Sequence, residues 1–116
     1  MLLFKPDHVE LIKRRKKTQT RRTWANCRVK VGSIHQAKTS FKKGEQPFAY
    51  ILITAVRQEF LGQITDEDAR KEGYPHVPGY KRAFKRIYGR WDPHELVWVV
   101  DFELATEAEY LDKGAA

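Results

Sequence analysis

The sequence predicts an α+β fold, a small mixed β-barrel of about five or six short strands with two or three short helices set among them. Three observations predict it. The 116 residues fall within the usual size of one domain with a single core. The apolar residues form short runs, and the two strongest, Phe48–Val56 and Leu96–Leu104, are rich in β-branched and aromatic residues and lack helical spacing. Helix signals occur at only two or three places, separated by these runs. Closing such a sheet into a barrel would remove the unpaired edges that short strands otherwise present.

In chain order, Asp7 followed by Glu10 has the spacing of a capping box. It predicts a first helix over about residues 8–16, with Val9 and Ile12 facing inward. Thr18–Thr23 and Arg28–Val31 read as extended, the latter from its alternation of basic and apolar residues. Gly32-Ser33 marks a turn, Ile34–Thr39 another strand, and Lys42-Lys43-Gly44-Glu45 a polar hairpin connection into Phe48–Val56. Thr65-Asp66-Glu67-Asp68 opens a second helix, with acids in its first turn where the helix dipole favours them, and Gly73 ends it. A third helix is expected over Gly79–Tyr88 with Tyr80, Phe84 and Ile87 on one face, and the closing strand Leu96–Leu104 is expected to be buried on both sides along Val97–Phe102. We read residues 1–116 as a single domain whose core spans about residues 3–104, with residues 105–116 as a C-terminal tail.

Apolar residues make up 41% of the chain, aromatics 12% and charged residues 32%, which suits a packed core with a heavily solvated exterior and excludes disorder. The net charge of +7, with a pI near 9.6, favours a polyanionic partner. No apolar run approaches the ~20 residues that span a bilayer. The stretch Met1–Pro6 is too short for the apolar region of a signal peptide. The lone Cys27 forms no internal disulfide and no multi-thiolate site, so a reducing, cytoplasmic location is expected. His8, His35, His76 and His94 lack ligand spacing, and we expect no metal and no cofactor. Glycines are too sparse for a nucleotide-triphosphate loop, which argues against a kinase or ATPase. A monomer is the default expectation.

Seven of the ten residues from Lys13 to Arg22 are basic, interrupted by Thr18, Gln19 and Thr20. Cations at a helix C-terminus are favourable on dipole grounds alone, which accounts for Lys13, Arg14 and Lys16 without any site. A turn combining Lys17, Thr18, Thr20 and Arg22 instead offers the cations and small hydroxyls that bind phosphate and sugar oxygens. On that reading Arg14, Arg15, Lys16, Lys17, Thr18, Arg21 and Arg22 are candidate nucleic-acid contacts. Trp24, directly after them, is a candidate for stacking on a base. Trp98 is expected in the core. Tyr74 can reach the same cleft or pack a helix.

Lys17-Thr18-Gln19-Thr20-Arg21-Arg22 resembles the signature of ASCH domains, a Gly-x-Lys-x-x-Thr-x-Arg pattern that follows a first helix and lines a cleft; Arg15 stands at the position of its glycine. Val31–Gln36, the helix Ile64–Tyr74 with its Ala-x-x-Glu-Gly ending, and the Val97–Phe102 strand extend the resemblance over about residues 3–104. The resemblance implies a PUA-like barrel that contacts RNA or modified nucleosides. Some small bacterial ASCH proteins are N4-acetylcytidine amidohydrolases that use a Lys, a Thr and a Glu, and these fall here on Lys17, Thr20 and Glu72. Others are described as ribonucleases or as RNA binders.

Amide hydrolysis needs a nucleophile, a base and donors for the developing oxyanion. An ordinary lysine is protonated at neutral pH. The flanking cations Arg14, Arg15, Lys16, Arg21 and Arg22, together with desolvation, would lower the Lys17 pKa, whereas Glu72 would raise it. Four readings therefore stand: an RNA- or nucleoside-binding domain, an amidohydrolase, a ribonuclease, for which no His pair is evident, and a protein-interaction adaptor.

Overall fold

The runs that read most clearly as strands form the centre of the sheet. In the computed structural model, which describes residues 1–113, β4 (Ala49–Phe60) and β5 (Leu96–Ala105) pair antiparallel along almost their whole length. β3 (Ile34–Lys38) lies antiparallel on β4, β1 (Leu2–Leu3) parallel on β3, and β2 (Gln19–Arg22) antiparallel on β5, giving the order β1-β3-β4-β5-β2. A register shift between Ile53 and Ala55 sits in the long β4–β5 ladder, where an extra residue adds bend and twist. The sheet curls into a half-barrel.

Closure into a full barrel is not needed to protect the edges. β1 has two residues and β2 has four, two of them arginines, and short charged strands are poor templates for further pairing. The stretch Arg28–Val31, expected as a strand, joins no ladder; Val29 alone enters the core and Gly32, at φ 88°, turns the chain into β3.

The first helix is shorter than the sequence suggests. A 3-10 turn over Pro6–His8 leads into α1 (Val9–Lys13), and neither start carries a side-chain cap, so the Asp7–Glu10 box does not form. Arg14 caps the end, and Arg15 takes a left-handed conformation with φ 61°. The amides of Lys16 and Lys17 both donate to the Leu11 carbonyl, at 2.8 and 3.0 Å, which reverses the chain and sends Lys17 inward. The left-handed region costs a residue with a Cβ about 1–2 kcal/mol and costs glycine almost nothing. Arg15→Gly should therefore raise the unfolding free energy by up to about 1 kcal/mol, the remainder being offset by the looser unfolded chain; a urea midpoint at or below that of wild type would contradict this.

α2 (Asp66–Lys71) starts on Thr65, whose hydroxyl accepts from the Asp68 amide, and ends with Glu72 as cap and Gly73 at φ 100°. A Cβ at Gly73 would lie 3.0 Å from Leu11 Cδ1, so this position is tight as well as left-handed. α3 (Val77–Tyr88) begins two residues earlier than expected, capped by His76. It buries Tyr80, Ala83 and Phe84 but leaves Ile87 exposed. α4 (Glu107–Asp112) was not anticipated, although Thr106 and Glu109 form the reciprocal capping box that announces it. Residues 114–116 of the expected tail lie outside the described residues.

β5 is buried on both faces, because successive side chains point to opposite sides of a strand. Val100 and Phe102 join Leu2, Phe4, Ile12 and Ile53 within the curl, whereas Val97 and Val99 face Tyr80 and Phe84 of α3. Among the described residues no helix is long and apolar enough to cross a membrane.

Candidate functional site

The two-residue period of β2 sorts its four side chains into two pairs. Gln19 and Arg21 share one face, where an Arg21 Nη1–H donates to Gln19 Oε1. Thr20 and Arg22 share the other, where Arg22 Nε–H donates to Thr20 Oγ1 at 3.0 Å. Just before the strand, Lys17 points into the protein and is 2% exposed. Its ammonium meets three acceptors: Glu72 Oε1 at 2.8 Å, the Glu72 carbonyl at 3.0 Å and the Gln19 carbonyl at 3.0 Å. Glu72, itself 3% exposed, is delivered to this point by the end of α2.

Arg21 carries the network onward. Its side chain is wholly buried, and its Nη atoms lie 3.2 Å from Glu72 Oε2, 2.8 Å from Glu59 Oε1 and 3.3 Å from Asp68 Oδ2. Gln19 Nε2–H donates to Asp101 Oδ1 at 2.8 Å, and Arg57 closes the outer side against Glu59, at 3.4 Å, and Asp101, at 3.3 Å. One donor is left over. Arg21 Nε is buried and has no acceptor among the described residues.

A cavity of about 110 Å³ opens over this ensemble. Its polar side carries Lys17, Thr20, Arg21, Arg22 and Glu72. Five aromatic residues also wall it: Phe4, Tyr74, Tyr80, Phe84 and Tyr88. His8 lies at the edge, with Nε2 3.2 Å from the Tyr74 hydroxyl.

Burial pushes the Lys17 ammonium down from its ordinary pKa; the Glu72 carboxylate pulls it back up, and Arg22 and Arg21 press it down again to a lesser degree. Burial is therefore the main cause, not the flanking cations of the sequence: Arg14, Arg15 and Lys16 are exposed and line no part of the cavity. Burial and the nearby Lys17 likewise lower the pKa of His8. Burial and Glu72 hold the Tyr80 phenol far above its usual value. For Arg21, burial opposes the charge, but Glu72 and Glu59 outweigh it and the pKa rises.

Asp68 shows the same contest with a testable consequence. Burial would raise its pKa, but Arg21 and hydrogen bonds from Thr65 and Gln19 hold it below the ordinary 3.8. A carboxylate depressed in the fold stabilises it above the unfolded pKa and loses that contribution as pH falls through the folded one. Asp68→Asn should accordingly flatten the fall of stability below about pH 4 in urea titrations; an acid limb as steep as that of wild type would contradict this.

Of the residues singled out in the sequence, the fold brings Lys17, Thr20, Arg21, Arg22 and Glu72 to one cavity. Tyr74 joins them there. Arg14 is exposed and pairs with Glu10 at 3.7 Å, and Thr18 is engaged through its backbone, which bonds Lys71 and Phe102. Trp24 is half-buried beside a neighbouring cavity, and Trp98 donates its Nε1–H to the Trp24 carbonyl at 3.1 Å. Sequence reasoning missed the aromatic wall, His8 and the carboxylates Glu59, Asp68 and Asp101 that surround Arg21. The period-two pattern of Gln19–Arg22 could have shown that Arg21 and Arg22 face different sides. Among the described residues, no group of three or more His, Cys, Asp or Glu side chains is placed to hold a metal ion.

No family model matches the chain, and no curated protein matches it. Solved structures do. An ASCH domain from Lactobacillus crispatus superposes with a TM-score of 0.67 at 17% identity, over 83% of this chain and 69% of that one. A DUF984 protein from Enterococcus faecalis superposes with a TM-score of 0.62 at 19% identity, over 90% of this chain and 82% of that one. Identities this low speak for the backbone, and together with the half-barrel they show that this chain has the ASCH-domain fold.

Proposed function

We propose that the chain binds RNA or a modified nucleoside in the cleft formed by Lys17, Thr20, Arg22 and Glu72. The observation that carries this reading is the juxtaposition of a buried Lys17–Glu72 pair with an aromatic-walled cavity. Burying a charge pair is expensive, and apolar pairs of similar volume often stabilise a fold as well or better, which favours a role for this pair beyond stability. A flat base fits against the aromatic wall, while sugar or phosphate oxygens take the Thr20 hydroxyl and the Arg22 guanidinium. The exposed Arg14, Arg15 and Lys16 contribute long-range attraction.

Salt provides the test. Affinity for single-stranded RNA should fall steeply with ionic strength, because each phosphate contact releases counterions and contributes about −0.7 to the slope of log K against log salt. No measurable binding of RNA or nucleosides at low salt would overturn the reading.

A second reading, hydrolysis of an acetylated nucleoside by Lys17, Thr20 and Glu72, is favoured by the 2.8 Å contact between Lys17 and Glu72 beside a buried threonine hydroxyl. All three Lys17 protons already have acceptors. Lys17 must therefore pass one to Glu72 before it can take the proton of the attacking Thr20 hydroxyl. As the ester bond from Thr20 to the acyl carbon forms, the amide bond breaks and the departing amine takes a proton, and a water then cleaves the ester to acetate and restores the hydroxyl. Low polarity in the closed cleft narrows the gap between the ionic and neutral forms of the pair. Incubation with N4-acetylcytidine should then yield cytidine and acetate, with loss of turnover in Lys17→Ala; an inert wild type leaves binding alone. Ribonuclease chemistry has less support, because His8 is the one histidine at the cavity.

A further inference from the structure

A second cavity, of about 400 Å³, lies beside the cleft and is walled by Trp24, Arg28, Val29, His35 and Phe41. Arg22 lines both cavities. Its guanidinium carbon stands 4.9 Å from the centroid of Phe4, which belongs to the first cavity, and 6.0 Å from that of Trp24, which belongs to the second. The side chain is held there by Nη2–H donating to the Leu3 carbonyl at 2.7 Å and Nε–H donating to Thr20 at 3.0 Å. A guanidinium has five N–H donors, and the other three have no acceptor among the described residues.

The walls of the second cavity have the composition of a base-stacking platform. Arg28 lies 5.9 Å from the Trp24 ring, and Phe41 is 76% exposed, a large aromatic face that nothing in the described chain covers. Two arginines line the cavity and no carboxylate does. Aromatic faces interleaved with fixed cations are how proteins hold single strands: rings take the bases without regard to sequence, and arginines take the phosphates between them. The spatial order is then base site, cation, base site, which matches the alternation of a polynucleotide backbone.

We propose that the second cavity seats the nucleotide adjoining the one in the cleft, with the linking phosphate on Arg22. The partner class is thereby single-stranded RNA of two or more nucleotides and not a free nucleoside. This rests on the cleft being a nucleoside site, as argued above.

The test uses the four ribonucleoside monophosphates and the four homohexaribonucleotides at low salt, with wild type and two variants at exposed positions, Arg28→Gln and Phe41→Ala. The hexamers should bind wild type more tightly than the monophosphates, and each variant should weaken hexamer binding about ten-fold, the scale set by one stacked base. Hexamers that bind both variants as tightly as wild type would overturn the second seat and leave the cleft intact. If neither hexamers nor monophosphates bind wild type, the cleft reading fails and the second seat falls with it.

Discussion

Arg21→Met should cost the fold about 3–5 kcal/mol, the penalty for removing one side of a buried ion pair. The reason lies in what remains. Arg21 is the shared partner of Glu59, Asp68 and Glu72. Methionine fills much of the volume but leaves these carboxylates near one another, with Arg57 serving the outer two and Lys17 the inner one. Against the ~5–15 kcal/mol of a typical domain this is a large fraction. The loss should shrink in acid, where the carboxylates take up protons and cease to repel. A urea midpoint near that of wild type at neutral pH would show that the network contributes little.

Glu72→Ala should have an effect of similar size, and Lys17→Met a much smaller one. Without Glu72, the Lys17 ammonium keeps two carbonyls but loses its counter-charge at a position that is 2% exposed. We expect about 3–5 kcal/mol of destabilisation at pH 7. Without Lys17, in contrast, Glu72 still has Arg21 at 3.2 Å, and the loss should not exceed about 2 kcal/mol.

The two variants also differ in pH dependence. The folded Lys17 has a pKa below the ordinary 10.5, and loss of Glu72 lowers it further by removing the influence that raises it. Between the folded and unfolded values the unfolded chain binds more protons, so stability rises with pH, by at most about 1.4 kcal/mol per unit. Glu72→Ala should therefore regain stability from pH 7 to 9 relative to wild type, while Glu72→Ala/Lys17→Met should not. Parallel pH profiles for single and double variants would show that Lys17 is not the charge left stranded. Since the residues share one network, the double-variant energies will not be sums of the singles.

These expectations recast the basic block from Lys13 to Arg22. As a sequence it is a patch of one sign. As a structure it divides into exposed cations from Lys13 to Lys16, a buried ammonium at Lys17, a buried guanidinium at Arg21 matched by acids, and a half-buried guanidinium at Arg22 turned toward the cavity. Part of that division was legible. Lys17, Thr20 and Glu72 were marked by a resemblance in motif, and they meet at one cavity. The left-handed turn at Arg15 falls where that pattern carries glycine.

Local information was enough for the strands at the centre of the sheet, since β-branched runs without helical spacing report their own conformation, and for α2 and α3, whose caps and periodicity lie within a few residues. It also established the excess of positive charge and the short spacing that puts Lys17, Thr20 and Arg22 together. The open half-barrel, the aromatic wall from α3, the acids around Arg21 and the cavity shared through Arg22 were decided only by tertiary structure. Each depends on residues distant in sequence, such as Arg21 with Glu59 and Glu72, or Phe4 with Phe84, brought together by packing the sheet against its helices. Burial follows from the same packing, and burial is what turns Lys17 from one cation among seven into the lysine whose charge the fold must actively hold.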